Sequence, residues 1–451
     1  MASKRKHNYC RPRTRAMTKA ARKNIPAPAE AAVPATSANV HIPHHVMLEV
    51  FSFLEPRAIV RARTVARAFA RDAPALVSSL QCSALLRFPQ PTEMDLFPRM
   101  EKVVVRGDNI VVQQAAPGLA RCGSLRSLTI ACHLPQQSPL PGDVTTTLFG
   151  LQLSDLDIQK IWMAIPPAVN MTAWRTLRSL VLRDAGLSDV SLVNIVRSLP
   201  SGVALPLQHL DLSRNPLGEM EGMGPLAEAL HSFPDLDVLE LTANRITDSA
   251  ARRLISTLLN GACPRLTQLE LSLNFLGDEC MDFLAKGVTR DGHGLRGLRK
   301  LGIGGRFMPS QGAKNFQSLC RSIAAGCLPV LYYFHVQGDL APASVGPVLG
   351  ELRSGVCPML QVVKVERSTR FPADDDAGQV EEAILNMREF VISKSNTPFL
   401  GELHVLGMNL GRGLETGWAP EEARTFYRAA NMSSFHRLAA AGAQRGVMIF
   451  V

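Results

Sequence analysis

Leu207-Gln208-His209-Leu210-Asp211-Leu212-Ser213-Arg214-Asn215 decides the fold of this 451-residue chain. Leucines at the first, fourth and sixth places carry an alternating, strand-like period, and an asparagine closes the stretch three residues later. The same pattern returns at Leu236/Leu239/Leu241/Asn244 and at Leu266/Leu269/Leu271/Asn274. It returns without the asparagine at Leu177/Leu180/Leu182 and Leu298/Leu301/Ile303. Weaker copies are Leu331/Phe334/Val336, Leu360/Val363/Val365 and Leu400/Leu403/Val405. Upstream, Met100/Val103/Val105 and Leu125/Leu128/Ile130 match, and residues 148–158 have room for one further copy. The middle residues from Leu180 to Val363 stand 30, 29, 30, 32, 33 and 29 residues apart, which marks a repeat array.

Each unit pairs the short strand with a helical stretch. After Asn244, Ala250, Leu254, Leu258 and Leu259 follow helical spacing until Gly261 stops the helix. A strand and helix of about 29 residues cannot bury both faces alone, so units must stack and share one core. The expected architecture is an α/β solenoid, a parallel concave sheet with outer helices. The asparagine at the strand end suits a place where its amide bonds neighbouring backbone that the turn leaves unpaired. Type, order and period resemble the ribonuclease-inhibitor class of leucine-rich repeat over roughly residues 95–410, a horseshoe of about ten or eleven units.

The charge of the chain is unevenly placed. Nine of its 49 basic residues lie before the first acid, Glu30, leaving 40 basic against 39 acidic residues in the rest. The basic character thus belongs to a tail, residues 1–40, that ends in an Ala/Pro-rich linker and has too little apolar content to order itself. Lys4-Arg5-Lys6 fits a nuclear-import signal, the acid-free Arg-rich start fits a transit peptide, and a plain solvated tail fits both. The near-neutral body implies no nucleic-acid face. No run of eighteen apolar residues exists, so no spanning helix is expected, and the charged start without an apolar stretch argues against export. The nine scattered cysteines form no C-x-x-C pair and read as small buried hydrophobes rather than metal ligands. The expected location is the cytoplasm, the nucleus or both.

Between tail and repeats, residues 41–80 carry two helical stripes. Met47, Val50, Phe51 and Leu54 share one face, Pro56 breaks the run, and Ile59, Ala62, Val65, Ala66 and Phe69 make the second. Helices this short need something to pack against. Ile42-Pro43, Val50-Phe51-Ser52-Phe53-Leu54, Glu55-Pro56-Arg57 and Ile59 through Val65 resemble an F-box, with Phe69 at the family's aromatic place. Ile42 replaces the usual leucine, and the downstream tryptophan is missing. The resemblance implies a substrate receptor of a cullin-RING ubiquitin ligase. It implies that Ile42, Pro43, Val50, Phe51, Leu54, Ile59 and Val65 dock the ligase adaptor, and through it the cullin, or pack the box. The other reading of this segment is a helical cap over the first repeat.

On the strands, the residue after the second leucine points to the concave face. That row reads Val181, Asp211, Glu240, Glu270, Gly302, His335, Lys364. Three adjacent carboxylates about 5 Å apart repel one another without a cation, so Asp211, Glu240 and Glu270 are candidate contacts for a basic protein substrate, with Tyr333 and His335 beside them. Ordinary repeat filler is the other account of these acids. No catalytic motif occurs: there is no G-x-x-x-x-G-K-[ST], G-x-S-x-G or H-E-x-x-H. Gly302-Ile303-Gly304-Gly305 reads as a strand and turn, Asp374-Asp375-Asp376 as a solvated loop, and Arg106-Gly107-Asp108 as chance. The expectation is a binding protein without catalytic residues, cofactor or metal. A repeat scaffold or inhibitor and a GTPase activator are its rivals. Residues 411–451 lose the repeat and read as a helical cap, Glu421 to Arg445, with an apolar end.

Overall fold

A computed structural model of the chain describes residues 79–83, 99–132, 138–167, 169, 171–218, 222–290, 292–305, 312–338, 349–352, 359–367, 377–392, 400, 402–406, 436–445 and 447–450. All of these residues belong to one unit, Leu48–Val451.

Among the described residues thirteen strands form one sheet in chain order, each parallel to the next. They are β1 (Ser79–Ser83), β2 (Lys102–Arg106), β3 (Ser127–Ala131), β4 (Asp155–Gln159), β5 (Ser179–Arg183), β6 (His209–Asp211) and β7 (Val238–Glu240). They continue with β8 (Gln268–Leu271), β9 (Lys300–Gly305), β10 (Tyr333–Gly338), β11 (Val362–Arg367), β12 (Glu402–Leu406) and β13 (Met448–Phe450). Sequential parallel strands need crossovers that return the chain to the same edge. Helices supply most of them. These are α1 (Asn109–Leu119), α2 (Gly142–Phe149), α3 (Asp189–Arg197), α4 (Met223–Ala229), α5 (Asp248–Leu259), α6 (Asp278–Arg290), α7 (Gly312–Ala324) and α8 (Ala377–Ile392). Between β4 and β5 the crossover holds a 3₁₀ turn at Thr172–Arg175. This is an α/β leucine-rich-repeat solenoid.

The register explains the repeat. Leu180, Leu210, Leu239, Leu269, Leu301, Phe334, Val363 and Leu403 are successive partners across β5 to β12. Leu156, Leu128, Val103 and Leu80 extend the row back to β1, and Ile449 extends it to β13. From Val103 to Leu403 these side chains are at most 3% exposed. Leu180 and Leu210 line one small cavity together with Leu192 and Ile195 of α3, and Leu254 and Leu258 of α5 are buried as well. A one-residue slip would turn the whole row to solvent, so burial alone sets the register. The copy concealed within 148–158 is β4, built on Leu153, Leu156 and Ile158. The sheet runs past the span 95–410 at both ends, through β1 and β13, while residues 436–445 are helical.

The asparagines do what their position demands. The Asn215 Oδ1 accepts from the backbone N–H groups of Ala185 (2.9 Å) and Leu187 (3.1 Å), in the turn of the preceding unit. Its Nδ2 donates to the carbonyls of Leu182 and Leu212, both at 2.7 Å. Asn274 repeats this, accepting from Asn244 and Ile246 and donating to Leu241 and Leu271. Asn244 accepts from the N–H of Asn215 at 2.8 Å. The residue before each asparagine, Arg214, Ala243 or Leu273, has a left-handed backbone with φ between 58° and 63°, and the amides hold that turn in place.

Other sequence features resolve into structure. The Asp108 carboxylate of Arg106-Gly107-Asp108 accepts from the N–H groups of Ile110 and Val111 and caps α1. Cys132, Cys263, Cys280 and Cys320 are buried thiols, and burial pushes those of Cys263 and Cys280 up to about 12. Gly302 to Gly305 lie within β9. Asp374, Asp375 and Asp376 lie outside the described residues. Among the described residues no helix is long and apolar enough to cross a membrane.

Candidate functional site

The face of the sheet opposite the leucine row is open, because every second strand residue points away from the helices. In register its central row reads Asp157, Val181, Asp211, Glu240, Glu270, Gly302, His335, Lys364 across β4 to β11. The three sequence-predicted carboxylates are therefore adjacent, as their repeat positions require. Asp157 is a fourth, one strand beyond Val181.

The acids are not alone. Arg183, two residues after Val181, reaches over β6 and joins the first two. Its Nε donates to Asp211 Oδ2 at 2.9 Å, and its Nη2 donates to the same oxygen and to Glu240 Oε2 at 3.0 Å. The other Asp211 oxygen accepts the Ser213 N–H at 2.8 Å. Gln268 Nε2 donates to Glu240 Oε1 at 3.0 Å. Gln159 Nε2 bonds both oxygens of Asp157, at 2.9 and 3.1 Å. The Ser272 N–H donates to Glu270 at 3.2 Å. Asp211 has only 1% of its side chain exposed and lies beneath Arg183, whereas Glu240 keeps 21%. The outermost charges of the row are thus Asp157, Glu240 and Glu270 rather than Asp211.

Burial pushes the Asp157 carboxyl above its ordinary range, against the pull of Gln159 and Arg183. Burial and then the neighbouring Asp211 push Glu240 up. Burial does the same to Glu270, opposed by its bonds to Ser272. Burial pulls the Arg183 guanidinium down, but Asp211 and Glu240 outweigh it and hold the charge above its ordinary value. Three carboxylates around one guanidinium, with Glu270 a strand further on, leave this stretch of the row short of positive charge, and the anions of Asp157, Glu240 and Glu270 are dearer here than in water.

Beyond Glu270 the floor changes. A Cβ at Gly302 would overlap the Glu270 carboxylate, so this side chain lies flat over β9 where any other residue would displace it. Across that glycine stand Tyr333, half-buried, and His335, 8% exposed, with ring centroids 6.4 Å apart and edges turned to faces. The Ser272 hydroxyl and His335 Nδ1 are 3.4 Å apart. Ser272 is 2% exposed, which closes this pair to a substrate.

Among the described residues one group could hold a metal ion: His209, Asp211 and Glu240, with ligand-type atoms within 4.8 Å of one another. Arg183 already occupies both carboxylates, so an ion there competes with a built-in cation.

Sequence reading missed Asp157, Arg183, Gln159 and Gln268. Asp157 could have been found, since Leu153, Leu156 and Ile158 complete the motif around it. Arg183 could be placed on this face by counting, but its reach over β6 depends on a rotamer that no spacing encodes. The expected adaptor contacts Ile42, Pro43, Val50, Phe51, Leu54, Ile59 and Val65 lie outside the described residues.

The stacked strand-helix units and the open charged row define a leucine-rich-repeat interaction fold, whose stacking makes an extended surface for protein partners. No protein-family model matches the chain. A Tonsoku-like protein from Bos taurus is 30% identical over 212 residues, 46% of this chain and 14% of that protein, so the chain spans about one-seventh of the relative's length. Among solved structures, an internalin from Listeria monocytogenes aligns over 81% of this chain and 94% of its own, at 13% identity and a TM-score of 0.40. A TLR13–ssRNA13 complex aligns over 73% of this chain and 46% of the other, at 12% identity and a TM-score of 0.38.

Proposed function

We propose that the protein is a substrate receptor of a cullin-RING ubiquitin ligase, which holds a basic segment of its substrate on the open face of the repeats. The observation that carries the substrate half is the charge of the central row: Asp157, Asp211 and Glu240 lie around the guanidinium of Arg183, and Glu270 extends the acidic run by one strand. A cationic segment relieves the cost of keeping these anions half out of water, so complementarity favours it over neutral or acidic partners. The ligase half rests on the F-box-like residues Ile42 through Val65, which precede the repeats. In this reading the chain performs no chemistry of its own and works in the cytoplasm or nucleus, where cullin ligases act on their substrates.

Both halves are tested with the full chain. Co-expression with the ligase adaptor of its own organism yields a stable complex, which Pro43→Ala with Leu54→Glu abolishes. A lysine-rich peptide binds with a strong salt dependence, and Glu240→Gln with Glu270→Gln weakens it at least about fivefold. Failure of adaptor binding by a folded chain removes the ligase role and leaves a repeat scaffold. Equal peptide binding by the double glutamine variant removes the acidic row as the contact.

A further inference from the structure

Two residues before Asp211 on β6, and on the same open side of the sheet, stands His209. Its Nε2 is shut off from solvent and has no hydrogen-bond partner. Val238, its register partner on β7, offers it none. A buried nitrogen left in this way costs free energy and calls for an explanation. The explanation lies beside it: a ring nitrogen of His209, a carboxylate oxygen of Asp211 and one of Glu240 all lie within 4.8 Å of one another. The backbone sets this arrangement, since His209 and Asp211 share a face of β6 and Asp211 pairs with Glu240 across to β7. On the neighbouring strands Ser179, Val238, Gln268 and Lys300 take the place of His209, so from β5 to β9 an imidazole meets two adjacent acids at this point alone.

We infer that His209, Asp211 and Glu240 form a site for a divalent transition-metal ion of the zinc kind, with Arg183 as the cation that the ion displaces. Imidazole beside carboxylates suits zinc, nickel or copper, whereas magnesium and calcium prefer ligand sets made of oxygen. Zinc bonds nitrogen and carboxylate oxygen at about 2.0–2.2 Å, so tetrahedral ligands around it stand about 3.3 Å apart. Drawing in atoms that already lie within 4.8 Å takes changes of rotamer and no shift of the strands. Arg183 holds Asp211 and Glu240 through a side chain that is 42% exposed, and it is therefore free to swing toward solvent. Asp157, on the strand to its other side, already feels its charge and receives it when it moves. One guanidinium leaves two of the carboxylates Asp157, Asp211 and Glu240 uncompensated, and a divalent ion supplies both missing charges. The site goes beyond the basic-segment reading and needs no partner protein. No cysteine takes part, and positions 209, 211 and 240 match no linear metal motif, because the register of two strands assembles them.

The test uses the full chain stripped of metal by a chelator, with zinc titrated by calorimetry and cobalt as a visible-absorption probe of imidazole ligation. Zinc binds and raises the melting midpoint, and magnesium at the same concentration does not compete. His209→Ala weakens zinc at least about tenfold and removes the cobalt bands. Arg183→Met acts in opposite directions: it lowers the midpoint without metal yet tightens zinc at least about fivefold, since the competing cation is gone. An arginine with a merely structural role would lower both. Melts in chelator establish that the variants are folded, and Glu240→Gln is the second ligand deletion if His209→Ala does not fold. Zinc binding unchanged by these ligand deletions means an adventitious ion only and overturns the inference. Weaker zinc binding by Arg183→Met overturns it as well, as does the absence of zinc binding by both the parent and Arg183→Met. The lysine-peptide experiments run in chelator, so the basic-segment reading stands or falls separately.

Discussion

Leu239 and Glu240 are neighbours in β7, yet they belong to two surfaces with opposite rules. The leucine faces the helices with no exposure, and its register partners on either side are leucines as well. The glutamate faces the open side, and its row passes through aspartate, valine, glutamate, glycine, histidine and lysine within eight strands. Each unit must fit the same neighbour on the core side, so the core row is forced to repeat. Nothing in the stacking constrains the open row, so its composition is free to follow whatever it binds. The contrast teaches where to look for function in a repeat protein: on the row that refuses to repeat.

The sharpest way to break the comparison is to change both rows at one strand. Leu239→Ala removes buried methyl groups from a close-packed layer and is expected to cost about 2–5 kcal/mol in chemical denaturation. Glu240→Gln, one residue on, is expected to change stability by less than about 1 kcal/mol while weakening the binding of a lysine-rich peptide. If the two substitutions destabilise equally, the open row is a structural surface and its variety has no bearing on binding.

A smaller effect sharpens the same line, because one member of the open row behaves like core. Asp211 is buried, and its charge is held by Arg183 and by the Ser213 N–H. Arg183→Met strands that carboxylate. The full cost of breaking a buried pair is about 3–5 kcal/mol. Arg183 is itself 42% exposed, and water screens part of the interaction, so the expected loss is on the order of 2 kcal/mol. Melting at neutral pH measures it, and an unchanged midpoint would show that Asp211 finds another partner.

How much of this could be read in advance follows from the two rules. The core row was legible from Leu180 to Val363 because stacking imposes one residue type at one interval, and the asparagines were legible because a turn with orphan backbone groups needs an amide. β4 was harder to see, since Ile161 stands where later units carry asparagine and only Leu153, Leu156 and Ile158 remain of the motif. β13 is three residues long and lacks the motif, so its pairing with β12 is a fact of tertiary structure. On the open face, counting placed Asp211, Glu240, Glu270 and His335 correctly in one row. It could not weigh them: Asp211 reads as an exposed acid in sequence and is covered in the fold, because a long side chain from the previous strand lies over it. Linear spacing encodes neighbours in the sheet, while burial on an open face depends on which way the long side chains fall.

The smallest expected effect lies at Glu270, where the two rows interfere. Its carboxylate is pressed onto the bare backbone of Gly302, and burial raises its pKa above the ordinary 4.5. A carboxyl whose folded pKa exceeds its unfolded one costs stability when ionised. That cost is complete above the folded pKa, shrinks as pH falls through it, and vanishes below the unfolded value. Glutamine keeps an acceptor for the Ser272 N–H without the charge. Glu270→Gln is therefore expected to be more stable than the parent near neutrality, by up to about 1 kcal/mol, with the two converging as pH falls below 4.5. Paired melts across that range read the difference directly. A gap that stays constant would mean that the anion carries no penalty in the fold, and the row would then have no shortage of positive charge for a basic partner to relieve. A gap that closes on acidification ties the stability of this strand to the same charge imbalance that the peptide experiments probe from outside.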